Sequence, residues 1–410
     1  MRLYKIFSGA LLVLLVFNSC SNKTEQYYPV TIQLNLSNST IDSMRLSEIA
    51  YKVEYIPLQT TQSSILSSNS FNSLVISKDN IFIQNESDVL KFNKNGNFEN
   101  TLFTVGRGPE EATARCFTVD ENNQLVYVFD HLTKDVKIYN FDGKFIGKIV
   151  KQINTPYHWT YSIGFFNNTL LVTTPQGPKS KYLYSCFDLR NDSIRVIYNN
   201  LREYEKSQLD KESLSPYDYA FQITDTTIMF KEWFNDTILK MGKNFKIEPK
   251  YIINLGNHQL EWKTWRDHGM FDIAGGPPIG YRIQSFCETK SYLFLTAMSF
   301  KSPQIFAVYN KNNDSVKLFT RQAFKWTSDP IYLKNDLDNI VDFPLMNRDG
   351  YFCYYDKCLY SIIEAKDFHL GYTKYATETK KSTSYLSSMT HIFNYITEFS
   401  NPVIIRIYLK

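Results

Sequence analysis

Among side chains that carry chemistry, the histidines are the first to examine: His131, His158, His258, His268, His369 and His391. A helical zinc site needs two of them one turn apart, as in His-Glu-x-x-His. None of the six is so placed, and the sequence gives no local reason to expect a metal or a cofactor. A serine hydrolase of the α/β class needs Gly-x-Ser-x-Gly to raise its nucleophile on a sharp turn, and that pattern is absent. Gly106-Arg107-Gly108-Pro109 has the glycines of a phosphate loop but lacks Gly-Lys-Ser/Thr and a following helix. Two readings fit it. Gly and Pro serve turns, so the stretch can be a tight connection between repeats. Alternatively, Arg107 stands at the mouth of a channel, where its planar fork can hold a carboxylate, a phosphate or an acidic sugar.

A second constellation lies further along. Trp262, Trp265, His268 and Asp272 precede Gly275-Gly276-Pro277-Pro278-Ile279-Gly280-Tyr281-Arg282. Aromatic faces beside polar groups suit sugar rings, and long loops on a rigid scaffold often carry function. The plainer reading is that the two tryptophans pack this insertion against its neighbours. Trp159, Tyr161, Tyr217 and Trp233 are further aromatics able to join such a face. Three function classes follow. One is a module that binds a glycan, a peptide or a protein partner. The second is an enzyme, a lyase or hydrolase, whose Arg107, Asp130, His131 and Arg282 converge from distant segments. The third is a purely structural component of the cell envelope.

The strongest single signal for location is at the N-terminus. Arg2 and Lys5 precede an apolar run from Ile6 to Phe17, and Asn18-Ser19-Cys20 follows. Such a run is too short to span a bilayer and suits the core of an export signal. A small residue before a cysteine is the pattern at which a thiol takes a diacylglyceryl group, and cleavage then makes Cys20 the first residue. An ordinary signal peptide with an incidental cysteine is the alternative. Residues 1–19 are expected to be the signal peptide, 20–29 a tether and 30–410 the folded domain. Two or three acyl chains suffice for stable anchoring, so the membrane is an expected partner, with an outer-membrane lipoprotein facing periplasm or exterior.

Composition adds exclusions. The formal charge is +4, and without Arg2 and Lys5 the chain has 43 basic and 41 acidic residues. That balance offers no electrostatic footprint for nucleic acid. Thirty Phe and 29 Tyr favour pleated, half-buried surfaces. Besides Cys20 there are Cys116, Cys186, Cys287, Cys353 and Cys358, which match no disulfide framework. Cys353 and Cys358 could face each other across a hairpin, or all five could be buried thiols.

The elements that must position these residues come from a recurring hairpin. Val89-Leu90-Lys91-Phe92 leads to Asn95-Gly96, and Val136-Lys137-Ile138-Tyr139 leads to Asp142-Gly143. Similar alternation surrounds turns at 191, 244 and 313. The spacing suits four-stranded propeller blades of roughly 40–50 residues. A sixth unit fits Tyr351–Tyr355, Cys358–Ile362 and Val403–Tyr408. The sequence therefore predicts an all-β, six-bladed β-propeller, with a helical insertion at about 384–399 in the last blade. Val30–Leu36 has no local partner and is expected to pair near the C-terminal strand, because a closed ring must hide its edges.

Several stretches carry a family resemblance. They are Leu46–Ile49 with Val53–Leu58, Gly106–Glu111, the segment Val126–Phe145 and Asn401–Ile405. Together they resemble the six-bladed β-propeller lipoproteins of Bacteroidota, relatives of NHL-repeat propellers. The resemblance implies a six-bladed fold and an envelope location, and no particular activity. Glu110 and Ala112 depart from the family's Gly-Pro-Gly-Glu-aromatic pattern.

Overall fold

The structure, a computed structural model, describes residues 29–36, 44–66, 71–149, 163–167, 169–173, 182–190, 193–199, 221–224, 227–231, 236–260, 280–299, 304–320, 331–345, 352–378, 390 and 392–410. Cys20, Trp262, Trp265, His268 and Asp272 lie outside these residues, as does the turn at 191.

Sheet I holds Phe71–Ile76, Asn80–Asn85, Asp88–Asn93 and Phe98–Thr101, and sheet II holds Ala114–Asp120, Leu125–Asp130, Val136–Asn140 and Phe145–Ile149. Sheet III holds Ile163–Phe166, Thr169–Thr173, Tyr182–Asp188 and Ser193–Asn199. Sheet IV holds Phe221–Ile223, Thr227–Lys231, Thr237–Gly242 and Ile247–Asn254, and sheet V holds Arg282–Glu288, Tyr292–Met298, Ile305–Asn310 and Ser315–Thr320. Sheet VI is assembled from both ends of the chain: Phe352–Tyr355, Cys358–Ile363, Val403–Leu409 and Ala50–Pro57.

The first strands contact one another in cyclic order, from sheet I through sheet VI and back to sheet I. The fold is all-β and is a β-propeller. Among the described residues, five sheets have the four-stranded form, one fewer than six uniform blades require. Sheet IV departs from it, because Val30–Gln33 adds a parallel fifth strand.

Burial follows from this arrangement. Middle strands are covered on both faces by neighbouring sheets, so Asn80–Asn85 and Asp88–Asn93 are buried except at their ends. The outer strand Phe98–Thr101 has no fully buried residue. Gly96 and Gly143 take φ of 84° and 86°, the left-handed conformation that tight two-strand turns favour in glycine.

Three expectations need correction. Val30–Gln33 does not reach the C-terminal strand but runs parallel to Tyr251–Asn254. Its Ile32, with Leu34, packs among Ile238, Tyr251, Ile253 and Leu255, an apolar edge that both can cover. The strand that closes the ring is Ala50–Pro57, antiparallel to Val403–Leu409 with Tyr55 opposite Ile405. Second, the regular helix in sheet VI's insertion is Ala365–Glu378. Of the expected 384–399 helix, 384–389 lie outside the described residues, 390 and 392–395 are helical, and 396–400 are not. Third, Cys353 stands opposite Tyr360 and Cys358 opposite Tyr355, so the two do not face each other, and all five described cysteines are thiols.

Asn401 explains the closure near the chain's two ends. It is 3% exposed, and its Nδ2 donates to Gln59 O (2.8 Å) and Ser64 O (2.7 Å), while its Oδ1 accepts from Leu66 N (2.9 Å). All its amide groups are satisfied in a site where an orphan would be costly.

Adjacent strands are antiparallel, so the connections divide between two ends of each sheet. Turns joining first to second and third to fourth strands are two to four residues long and form one face. The connections between successive sheets, among them 102–113, 255–281 and 321–351, and the 364–402 insertion begin and end at the opposite face, whereas 34–49 passes from that face to the short-turn end of Ala50–Pro57. We call these the turn face and the loop face. Among the described residues no helix is long and apolar enough to cross a membrane.

Candidate functional site

The described residues singled out from the sequence, Arg107, Asp130, His131 and Arg282, belong to connections or strand ends of the loop face. They form two groups, one at sheet II and one at sheet V.

At sheet II the repeat is broken by a charge. Five residues before the Asn-Gly turn of sheet I stands Leu90, in the core, and five before the Asp-Gly turn of sheet II stands Lys137. Lys137 is nonetheless buried, and its Nζ lies 3.0 Å from Asp130 Oδ2, with side-chain exposures of 2% and 0%. Such a pair is held in the interior only if its remaining hydrogen-bonding capacity is met. Asp130 accepts from Leu132 N (2.9 Å) and Thr133 Oγ1 (3.0 Å). Lys137 donates to Gly108 O (3.3 Å) and to Glu111 O. Burial alone would raise the Asp130 pKa. The Leu132 N–H, the Lys137 ammonium and the Thr133 hydroxyl outweigh it and hold the carboxyl below its ordinary value.

The same lysine shapes the Gly106–Glu111 loop. Glu111 Oε2 accepts from Gly108 N (2.8 Å) and fills the space that a Cβ on Gly106 would need. Tyr139 donates its hydroxyl to Glu110 O (3.0 Å). The departures from the family pattern fit this arrangement: Glu110 supplies a carbonyl and leaves its side chain in solvent, and Ala112 is buried in the core. The loop is therefore a fixed connection from sheet I to sheet II, with Arg107 exposed on it. His131 donates its backbone N–H to Thr113 O (2.9 Å). Burial, Lys134 and Arg115 together lower the pKa of its ring.

A groove of about 870 Å³ runs beside the loop, lined by Asp88, Phe103, Glu110, Glu111, Asp142 and Phe145 among others. Desolvation raises the Asp88 pKa. The carboxylates make this groove unsuited to anions, in contrast to the exposed Arg107.

At sheet V, Arg282 is the first residue of the inner strand and is 3% exposed. It neighbours Asp236, whose Oδ1 accepts from Ile283 N (3.1 Å). Burial raises the Asp236 pKa against the opposing effects of Lys231, the Ile283 N–H, Arg282 and Gln259. Lys231 and Asp236 are also buried. Leu260 N donates to Tyr281 O (2.7 Å) and Tyr281 N to His258 O (2.6 Å). These bonds hold together the two ends of the 261–279 stretch that contains Trp262, Trp265, His268 and Asp272.

Arg107, Asp130 and His131 are thus brought into one corner, and Arg282 stands in another, three sheets away around the ring. No hydrogen bond or ion pair among the described residues joins the two groups. Sequence reading missed Lys137, Lys231 and Asp236. Lys137 had a signal in its departure from the repeat. Lys231 sits opposite Ile238 as Gln84 sits opposite Val89, a buried polar position that recurs between sheets. Among the described residues, no three His, Cys, Asp or Glu side chains are grouped to hold a metal ion.

A ring of sheets whose first strands touch in cyclic order, with the connections between successive sheets on one face, defines a β-propeller. The chain belongs to the DUF4934 family, a domain of unknown function, which matches residues 29–408. It is similar to the crystal structure of a protein described as exported from Bacteroides fragilis NCTC 9343, at 17% identity and a TM-score of 0.66, covering 93% of this chain and 100% of that one. It also matches a member of the DUF4221 family from Bacteroides vulgatus ATCC 8482, at 10% identity and a TM-score of 0.47, covering 88% and 97%. The likeness to the Bacteroides fragilis structure agrees with the propeller fold. No curated protein matches the sequence.

Proposed function

We propose that this is a lipid-anchored binding module of the cell envelope, a six-bladed propeller whose loop face takes a glycan, a peptide or a protein. The observation that carries the reading is where the connections between successive sheets gather: they lie at one face, beside the buried charges of Asp130, Lys137, Lys231, Asp236 and Arg282, while the turns within sheets at the other face are two to four residues long. The cyclic contacts among first strands support counting sheet IV, with its added strand, as the sixth blade. The exported description of the Bacteroides fragilis protein agrees with an envelope location, and Cys20 is the residue that would take the lipid.

Arg107 on its fixed loop, Trp262, Trp265, His268 and Asp272 of the 255–281 connection, and Arg282 at the start of the strand that follows it are the proposed contacts, with Asp130 and His131 setting the loop beside Arg107. An array of envelope glycans, with co-purification of partners, tests the reading. Arg107→Ala and the Trp262→Ala/Trp265→Ala pair are expected to lower ligand capture at least tenfold while leaving the unfolding transition in place. Capture unchanged in both variants would refute the assignment of this face. Separately, Cys20→Ser should abolish acylation and move the protein out of the detergent-phase fraction, read by mass spectrometry of the N-terminal peptide and by phase partitioning.

A further inference from the structure

At the loop end of sheet II the charges are sorted. The acidic residues Asp88, Glu110, Glu111 and Asp142 line the groove beside the Gly106–Glu111 loop. Arg115, His131 and Lys134 do not line it. They gather at the 131–135 connection between the second and third strands. Lys134 Nζ lies 3.5 Å from His131 Nδ1. Arg115 is the extra residue of a bulge in the inner strand, where Ala114 stands opposite Asp130 and Cys116 opposite Phe129. Bulges re-aim a side chain and are frequent beside functional sites. Lys134 and Arg115 both act on the His131 ring, and Asp130 opposes them. Asp130 is already held by Lys137. Of the other acids near this connection, Asp135 is held by Lys148 (3.0 Å). Glu86, exposed on the adjoining turn of sheet I, does not act on the ring.

The connection is fixed before any ligand arrives. His131 N donates to Thr113 O (2.9 Å), Leu132 N to Asp130 Oδ1 (2.9 Å) and Lys134 N to Asp130 O (2.9 Å). Thr133 Oγ1 donates to Asp130 Oδ2 (3.0 Å). Side chains on a fixed backbone lose less freedom when a ligand binds. With the Lys134 ammonium beside Nδ1, a neutral His131 ring keeps its lone pair there and its proton on Nε2. An arginine fork, an ammonium and an imidazole N–H are donors suited to an oxyanion. The backbone N–H groups of His131, Leu132 and Lys134 are taken, so an extended peptide, which is held largely by main-chain bonds, finds none of them here. A ligand recognised by its charged group fits the connection better.

We propose that Arg115, His131 and Lys134 form an anion subsite of the loop face, which takes the carboxylate of an acidic sugar. The inference rests on the binding role of that face and names the ligand class. The charges facing the ring are Lys134, Arg115 and Asp130, and burial with the two cations holds its pKa below the ordinary histidine value. An anion placed against the ring favours the imidazolium, so binding takes up a proton. Affinity is therefore flat above the ring's pKa in the complex and rises as pH falls through it. A simple carboxyl, with a pKa of about 4, stays ionised over that range.

The test is a titration of the full chain in neutral detergent with D-glucuronate, read by calorimetry and by the NMR signal of an isotope-labelled His131 ring. D-glucose and N-acetylglutamate amide are the controls. Glucuronate should bind, glucose should not, and the ring signal should move towards its protonated position. Arg115→Gln and Lys134→Gln should each weaken glucuronate by about tenfold, the worth of one charge-assisted hydrogen bond. Wild-type affinity should rise several-fold between about pH 7.5 and about pH 5.5, across the ordinary histidine value, and the rise should vanish in His131→Asn. No glucuronate binding, an unmoved ring signal in the wild type, or glucose bound as tightly overturns the proposal. N-acetylglutamate amide bound as tightly as glucuronate overturns the assignment to a sugar. The wild-type ring signal decides the matter even where a variant does not fold. Glucuronate binding weakened in Arg115→Gln and Lys134→Gln sustains the subsite whatever Arg107→Ala and the tryptophan pair do to ligand capture. Capture that those variants lose, but that Arg115→Gln/Lys134→Gln keeps at the wild-type level, leaves the binding face standing and ends the subsite.

Discussion

A chain ending at Pro402 is expected to accumulate as insoluble protein and, where recovered, to show no cooperative unfolding transition. The truncation removes the strand Val403–Leu409, which lies between Cys358–Ile363 and Ala50–Pro57. Val403, Ile404, Ile405 and Ile407 are each 0% exposed. Burying an aliphatic side chain of this size contributes about 1.5–3 kcal/mol, so the four together forfeit roughly 6–12 kcal/mol, an upper estimate against an extended reference. That is comparable to the whole stability of a typical domain, roughly 5–15 kcal/mol. The loss also leaves two strand edges open, a template for aggregation. Removing residues up to Leu36 instead takes away only an outer edge with its buried Ile32 and Leu34. That variant is expected to keep a cooperative transition, at a stability lower by about 3–6 kcal/mol. Urea unfolding followed by tryptophan fluorescence compares the two. A soluble Pro402 truncation with a wild-type transition would show that the ring does not depend on its mixed sheet.

The contrast between these two strands shows what could be read from sequence. Hairpins around Asn95-Gly96 and Asp142-Gly143 were legible because turn chemistry and alternation are local properties, and they gave the propeller. Val30–Leu36 and Ala50–Pro57 both alternate, and nothing within either names its partner hundreds of residues away. The pairing of Tyr55 with Ile405 is settled by which edge remains open once the other sheets have formed. The helix Ala365–Glu378 was missed for a different reason. Its buried residues Ala365, Phe368 and Tyr372 are few, and Gly371, Thr373 and Thr377 lower its intrinsic propensity. It forms because Phe368 and Tyr372 pack into the cluster with Tyr55, Leu333 and Phe343, a tertiary cause. At the candidate site, Gly106–Glu111 was visible as a turn-forming loop with Arg107 on it. Its anchoring by Lys137 was not, since a lysine in an alternating strand normally marks the solvent side.

That buried lysine leads to the second large effect. Asp130→Leu is expected to lower the unfolding free energy by about 3–5 kcal/mol, the usual cost of leaving one partner of a buried pair uncompensated. The variant strands the Lys137 ammonium with only the carbonyls of Gly108 and Glu111, and it strips Leu132 N and Thr133 Oγ1 of their acceptor. Lys137→Met should cost less, because Asp130 keeps both of those donors. The double variant should recover part of the loss, since a well-packed apolar pair can replace a buried ion pair, but not the loop contacts of Asp130. Asp130→Asn separates charge from shape through its pH dependence. The folded-state pKa of Asp130 is depressed, so its ionic stabilisation is complete above the ordinary aspartate value of about 4 and is lost as pH falls through the folded value. The stability gap between wild type and Asp130→Asn should therefore be constant from neutral pH down to about 5 and then close on further acidification. A gap that persists unchanged in acid would mean that the pair is not ionised in the folded protein. A matching loss of ligand capture in Lys137→Met, at a temperature where the variant is still folded, would show that this ion pair holds Arg107 for binding as well as holding two sheets together.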